Sequence, residues 1–165
     1  MSEELEKVRE LLESFETAML VTRGRDASLH ARPMAIARVE AGCELWFFTG
    51  RSSAKVHEIE NDQRVLIVCQ DEMSRYVALS GFARLVADRA KVSELWKDSY
   101  KVWFPKGVSD PDLYLIRVQP DDAEYWDNQG FKSVRYLFEA ARAYVRGTSP
   151  HADEPEQHGK VSFPE

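Results

Sequence analysis

Two cysteines, Cys43 and Cys69, are all the thiols that 165 residues supply. They make neither a disulfide framework nor a metal-ligand spacing. Cys69, inside Val65-Leu66-Ile67-Val68-Cys69, reads as a small buried hydrophobe. No run is long and apolar enough to cross a membrane as a helix. The acidic start, Met1-Ser2-Glu3-Glu4, leads straight into a helical pattern and does not resemble a secretory signal, so a cytoplasmic protein with no membrane partner is expected. Basic charge is short as well: 22 Lys and Arg stand against 28 Asp and Glu, a net charge of −6. A general nucleic-acid binder would need a basic face, and no nucleic-acid partner is expected.

Catalytic signatures are missing too. No G-x-G-x-x-G follows a strand pattern and no Walker A motif appears. His57-Glu58 lacks the second histidine of a zinc-protease pair, and there is no G-x-S-x-G elbow. His151 and His158 lie in a polar tail, and no metal site is expected. Acyl transfer and metal hydrolysis therefore have no residues behind them. The remaining options are a bound cofactor that carries the chemistry, or binding without turnover.

What is present is enough apolar material, 44% of residues, for one domain with a real core. Leu5, Val8, Leu12 and Phe15 fall on one face and predict a helix over 3–15. Short strands are expected at Ala18–Thr22, about Leu29–Val39, Glu44–Phe48, Val65–Cys69 and Tyr76–Val86. Gly81 inside the last of these suggests a bulge or a barrel corner. Asp88 is a good N-cap for a helix carrying Val92, Leu95 and Trp96. A sixth strand, Leu113–Val118, is expected to break at Pro120 and resume over Ala123–Trp126. Val134, Leu137, Phe138 and Ala141 predict a helix over Ser133–Val145. Most strands are joined by hairpins, which favours a small antiparallel barrel with peripheral helices. Residues 1–146 read as a single domain and 147–165 as a polar, flexible tail.

One junction stands out: Phe47-Phe48-Thr49-Gly50-Arg51-Ser52-Ser53-Ala54-Lys55-Val56. A buried strand ends at Thr49-Gly50, and a helix begins at Ser52 or Ser53 and runs to about Asn61. A helix N-terminus attracts anions. The two serines, Arg51 and Lys55 add donors and positive charge, so a phosphate site is one reading. An ordinary serine N-cap with solvated basic neighbours is the other. Arg32-Pro33 is a second feature. Proline belongs on a strand edge, and an interruption there would leave backbone groups near Met34 and Ala35 free to pair with a planar ring, or simply solvated. Trp103, Phe104, Tyr125 and Trp126 are late aromatics suited to the core, to a dimer contact or to stacking on a planar cofactor.

Taken in order, Ala31-Arg32-Pro33-Met34, Leu45-Trp46-Phe47-Phe48-Thr49, Ser52-Ser53-Ala54-Lys55-Val56, Tyr76-Val77-Ala78-Leu79-Ser80-Gly81-Phe82-Ala83, Trp103-Phe104-Pro105-Lys106-Gly107 and Ala123-Glu124-Tyr125-Trp126-Asp127 form a specific set over about residues 5–130. The set resembles the general stress protein 26 branch of the pyridoxamine 5′-phosphate oxidase-like, FMN-binding split-barrel superfamily. The resemblance implies a six-stranded antiparallel split β-barrel, mainly β with peripheral helices. It also implies a homodimer with FMN between the subunits. Carried over by position, Arg32, Pro33 and Met34 would line the flavin ring, Arg32 by its side chain. Phe48 and Thr49 would lie beside the ring and ribityl chain. Ser53 and Lys55 would hold the phosphate, while Trp126 and Trp103 would reach the flavin.

The departures are as informative. Ala37 stands where the oxidase has a lysine for the substrate phosphate. Tyr76 replaces a glutamine, and the oxidase's Arg-x-His motif is missing after Trp126. The resemblance therefore implies a flavin oxidoreductase of unknown substrate rather than a vitamin-forming oxidase, with no catalytic side chain assigned. Alternatives are a non-catalytic flavin reservoir or redox sensor, and a deazaflavin or haem binder. His30 is the one candidate axial ligand near the cleft.

Overall fold

The computed structural model describes residues 2–127, 145–147 and 158–163. Helix α1 (Glu3–Ser14) starts at Ser2, whose hydroxyl accepts the Leu5 N–H at 3.2 Å. It lays Val8, Leu11 and Leu12 on the sheet, fully or nearly fully buried. Burial of one such leucine is worth roughly 1.5–3 kcal/mol. The strands follow as β1 (Thr17–Arg23), β2 (Leu29–Ala35), β3 (Arg38–Val39) and β4 (Leu45–Gly50). Helix α2 (Ala54–Asn61) leads to β5 (Arg64–Gln70) and β6 (Arg75–Val86). Helix α3 (Arg89–Leu95) and a 3₁₀ turn (Asp98–Val102) precede β7 (Leu113–Asp127). All pairings are antiparallel, in the order β2-β1-β5-β6-β7-β4-β3.

This curled sheet is the split barrel, with β1, β2, β4, β5, β6 and β7 as its six full strands. Its two ends, β2 and the β3–β4 pair, share no ladder. One core fills the inside beneath α1, around Leu20, Phe47, Ile67, Leu79, Ile116 and Tyr125. A second lies under α3, where Phe48 meets Trp96 at 5.7 Å, Tyr100 at 5.1 Å and Phe104 at 6.3 Å between ring centroids.

Two strand expectations and the reading of the tail are revised. The strand foreseen over Leu29–Val39 divides into β2 and β3 at Ile36-Ala37. There the Ile36 N–H leaves the ladder for the Glu16 carbonyl and the Ala37 N–H goes to that of Trp46. Pro120 does not break β7. It sits at the bulge where the register shifts between Ser80 and Gly81, so its missing N–H falls at an irregular point of the ladder. Gly81 is required there, because a Cβ would stand 2.3 Å from the Gln119 carbonyl oxygen.

The third revision concerns the tail. His158–Ser162 forms β8, antiparallel to the end of β7. It takes the edge of β7 that β4, paired only with Leu113–Val118, leaves open. Val161 is buried and Phe163 packs on the main core. The helix expected at Ser133–Val145, but for its last residue, and the remainder of the tail lie outside the described residues. Among the described residues no helix is long and apolar enough to cross a membrane.

Candidate functional site

The strand–helix junction after β4 separates into two groups. The first is structural. Arg51 pairs with Glu60 at 3.0 Å, and its N–H bonds the Asp112 carbonyl. Ser52 gives both its N–H and its hydroxyl to the Asp112 carboxylate. Arg51, read from sequence as a phosphate gripper, is thus committed elsewhere.

The second group remains available. Ser53 is the N-cap residue of α2, yet its hydroxyl makes no capping bond. It lies 3.1 Å from the Thr49 hydroxyl, and the Lys55 ammonium donates to Ser53 Oγ at 3.2 Å and to Thr49 Oγ1 at 3.4 Å. The simple serine cap is therefore excluded. Lys55 is half-buried and makes no ion pair among the described residues. Burial, and then the positive charge of Arg32, push its ammonium below the usual lysine range.

Arg32 reaches this group from the other end of the sheet. Its partner across the β1–β2 ladder is buried Leu20, so its side chain shares the core-side face of β2 with Met34. Nη1 donates to Thr22 Oγ1 at 2.6 Å and to the Leu20 carbonyl at 3.3 Å, while Nη2 donates to Glu58 Oε2 at 3.3 Å. The Glu58 carboxylate also accepts from Thr22 and lies 2.8 Å from His30 Nδ1. Burial works to raise the Glu58 carboxyl, but the Thr22 and His30 hydrogen bonds and the Arg32 charge outweigh it and hold it below the ordinary range. Helix α2 thus links β2 with β4 across the split: Glu58 takes Arg32, and Lys55 takes Thr49 and Ser53.

The other expected residues are placed differently. Pro33 lies on the outer face of β2, opposite Met19. The strand passes it without interruption, so the free backbone groups are those of the sheet's outer edge and not of a break. The Phe48 side chain is 5% exposed and enclosed by aromatics, leaving only its backbone for a ligand. Trp103 is 61% exposed, 6.4 Å from Tyr100. Trp126 stacks on His158, with centroids 5.2 Å apart and planes 10° from parallel. It lies twelve residues along β7 from Tyr114, the partner of Thr49, near the opposite end of that strand. Within one chain, then, Thr49, Ser53 and Lys55 are joined by hydrogen bonds, Arg32 is near enough for its charge to act on Lys55, and Trp126 lies on His158 instead.

Thr22 and Glu58 complete the network, and the sequence reading did not assign them to the site; His30, expected there only as a candidate axial ligand, instead lies against the Glu58 carboxylate. The one signal available was a carboxylate at i+3 from Lys55 on a short helix, which ordinarily reads as a surface ion pair. Among the described residues no group of His, Cys, Asp or Glu could hold a metal. Both cysteines are free and buried, and burial pushes each thiol up to about 12.

The outer face of the sheet is apolar over four strands. Pro33 and Ala31 on β2 face Met19 and Val21 on β1, which face Val68 and Leu66 on β5, with Ala78 on β6 opposite Val68. Met19 and Leu66 are each 38% exposed and Leu29 is 72% exposed.

A family model described as pyridoxamine 5′-phosphate oxidase like matches residues 3–151. A general stress FMN/FAD binding protein from the phytopathogen Xanthomonas citri is 32% identical, with a TM-score of 0.67 over 79% of this chain and 92% of that one. A structure described as a general stress protein 26 from Jannaschia sp. CCS1 is 25% identical, with a TM-score of 0.74 over 99% and 100%. Protein bli-3 of Neurospora crassa is 26% identical over 136 residues, 76% of this chain, and the match spans 65% of that protein's length.

Proposed function

This chain belongs to the pyridoxamine 5′-phosphate oxidase-like family, and we propose from that premise that it is an FMN-binding protein of the general stress type. The observation that carries this reading is Lys55: a half-buried ammonium on two hydroxyls, facing a second cation and lacking a carboxylate. Such a group costs free energy unless an anion joins it. A phosphate monoester fits, since Lys55 and Arg32 supply charge, Ser53 and Thr49 supply hydroxyls, and the start of α2 supplies backbone donors. This arrangement suits the terminal phosphate of FMN, and it moves Arg32 and Thr49, expected beside the ring and ribityl chain, to the phosphate end.

The flavin ring would then extend along the free edge of β2, past the backbone of Pro33 and Met34, with the backbone of Phe48 on the opposite side. Trp126 and Trp103 would approach it from a second copy of the chain, since within its own chain Trp126 stands at the opposite end of β7 from Thr49, against His158. The apolar outer face around Met19, Val21, Leu66 and Val68 supports that homodimer, because a contiguous exposed patch of this kind marks an interface.

When bound, FMN supplies hydride or single-electron chemistry, and the reading is a flavin-dependent oxidoreductase. The chain's own part is to hold the phosphate, fix the ring edge and exclude water from the interface. Ala37, 8% exposed in the second core, presents no charge for a substrate phosphate, which favours a substrate other than a phosphorylated pyridoxine. A flavin reservoir or redox sensor would use the same binding residues without a substrate.

The test is direct. The purified protein is expected to carry a yellow chromophore or to bind added FMN at micromolar levels, and failure of both rejects the flavin reading. Lys55→Ala should weaken FMN by about one to two decades and riboflavin far less; equal weakening rejects the phosphate assignment. Anaerobic NADH or NADPH should bleach the flavin of a reductase and leave that of a reservoir oxidised.

A further inference from the structure

The positive charge of Arg32 acts on Lys55, so the side chains that hold Arg32 in place bear directly on the anion site. Arg32 has five N–H donors in a rigid fork. Among the described residues three are used: Nη1 takes the Leu20 carbonyl and the Thr22 hydroxyl, and Nη2 takes Glu58. All three acceptors belong to β1 and α2. That leaves one Nη2 proton and the Nε–H, which lie along one edge of the guanidinium and match the two oxygens of a bidentate anion. Thr22 is 1% exposed, among the few buried polar residues, and its own proton goes to Glu58. The result is a closed triangle of Thr22, Glu58 and Arg32.

We infer that Thr22 and Glu58 are positioning residues, which orient the free edge of Arg32 toward the anion that Lys55, Ser53 and Thr49 receive. This deepens the phosphate-site reading and rests on it. Lys55 and Arg32 repel one another, so without the carboxylate Arg32 would swing to solvent past the exposed end of β2. Glu58 removes that option at the cost of one negative charge near the ligand. Charge alone would make Glu58 harmful to phosphate binding; orientation makes it necessary. The two effects have opposite signs, which makes the role measurable.

His30, whose side chain is 49% exposed, holds the second oxygen of Glu58, and Ser28 Oγ lies 3.1 Å from its Nε2. The supporting chain therefore reaches the surface, and the β1–β2 hairpin helps to fix Arg32 from outside.

The experiment compares Glu58→Ala, Glu58→Gln and Thr22→Val with wild type, by FMN and riboflavin titration and by NMR of ¹⁵N-arginine-labelled protein without ligand. In wild type the Arg32 guanidinium, assigned by its loss in Arg32→Lys, should show separate, slowly exchanging Nη signals. In Glu58→Ala they should average, and FMN should bind about ten to a hundred times more weakly with riboflavin little changed. Thr22→Val, which keeps the side-chain shape, should do the same to a smaller extent, and Glu58→Gln, which keeps one acceptor, should fall between. If Glu58→Ala does not fold, Thr22→Val carries the test. FMN binding that is unchanged or tighter in these variants, with Arg32 signals still separate, overturns the inference. If wild type binds no FMN, the phosphate reading fails while the NMR comparison still reports whether Thr22 and Glu58 fix Arg32.

Discussion

Lys55 passes over the Glu58 carboxylate, three residues further along α2, and gives its ammonium to the hydroxyls of Thr49 and Ser53 instead. An i,i+3 ion pair is the ordinary outcome on a helix. Here Arg32, Thr22 and His30 already occupy that carboxylate.

The relationship predicts a trade between stability and binding. The folded state lowers the proton affinity of Lys55, so charged Lys55 opposes folding below its folded pKa, and the penalty vanishes as pH rises past the unfolded value near 10.5. Lys55→Met should therefore raise the melting temperature of ligand-free protein at pH 7 by about 1–3 °C. The gain should fade above pH 10 and the stabilisation by added FMN should shrink. Thermal melts with and without FMN measure both effects.

Glu58 has the opposite sign. Its folded pKa lies below the unfolded value, so it contributes stability above about pH 4.5 that is lost as pH falls through the folded pKa. Glu58→Gln should flatten the acid limb of stability, so that the difference in urea midpoint between pH 7 and pH 4 becomes smaller than in wild type.

Gly81→Ala should destabilise by about 2–3 kcal/mol. Its Cβ would meet backbone, 2.3 Å from the Gln119 oxygen, and no side chain can turn aside to relieve it. Urea titration should show a lower midpoint with an unchanged slope.

The outer face predicts the assembly. Met19→Lys with Leu66→Lys places two charges in the middle of the apolar patch. Dimer dissociation should rise about a hundredfold or more, visible by sedimentation, and FMN affinity should fall with it. A wild type that sediments as a monomer at micromolar concentration would reject the interface.

The fold was largely legible because its signals are local. Short apolar, β-branched runs marked β1 and β5, and Asp88 capped α3 as expected, accepting from the Ala90 and Lys91 N–H groups. Pro120 misled because its position in β7 is set by Gly81, far away in sequence, and the pair only make sense together at the bulge. His158–Ser162 was missed because three of its five residues are polar; the alternation of Val161 with Phe163 was the faint signal. At the site, Ser53 and Lys55 stand two positions apart in sequence and were readable as an anion group. Arg51 looked equivalent, and only the fold shows it turned to Glu60. Thr22 and Glu58 could not be found from sequence, since their meaning comes from Arg32 and each carries an ordinary side chain in an ordinary element.

Strand β8 has a consequence for the life of the molecule in a crowded solution. The end of β7 has β8 beside it over Asp122–Trp126, on the edge that β4 does not reach. Without those residues, a row of N–H and C=O groups next to buried Ala123 and Tyr125 would be open to any extended segment that came by. The strand acts as a guard against self-templating. The same five residues from a neighbouring copy would fit that edge equally well, so cleavage before His158 should convert a well-behaved protein into one that exchanges strands or precipitates.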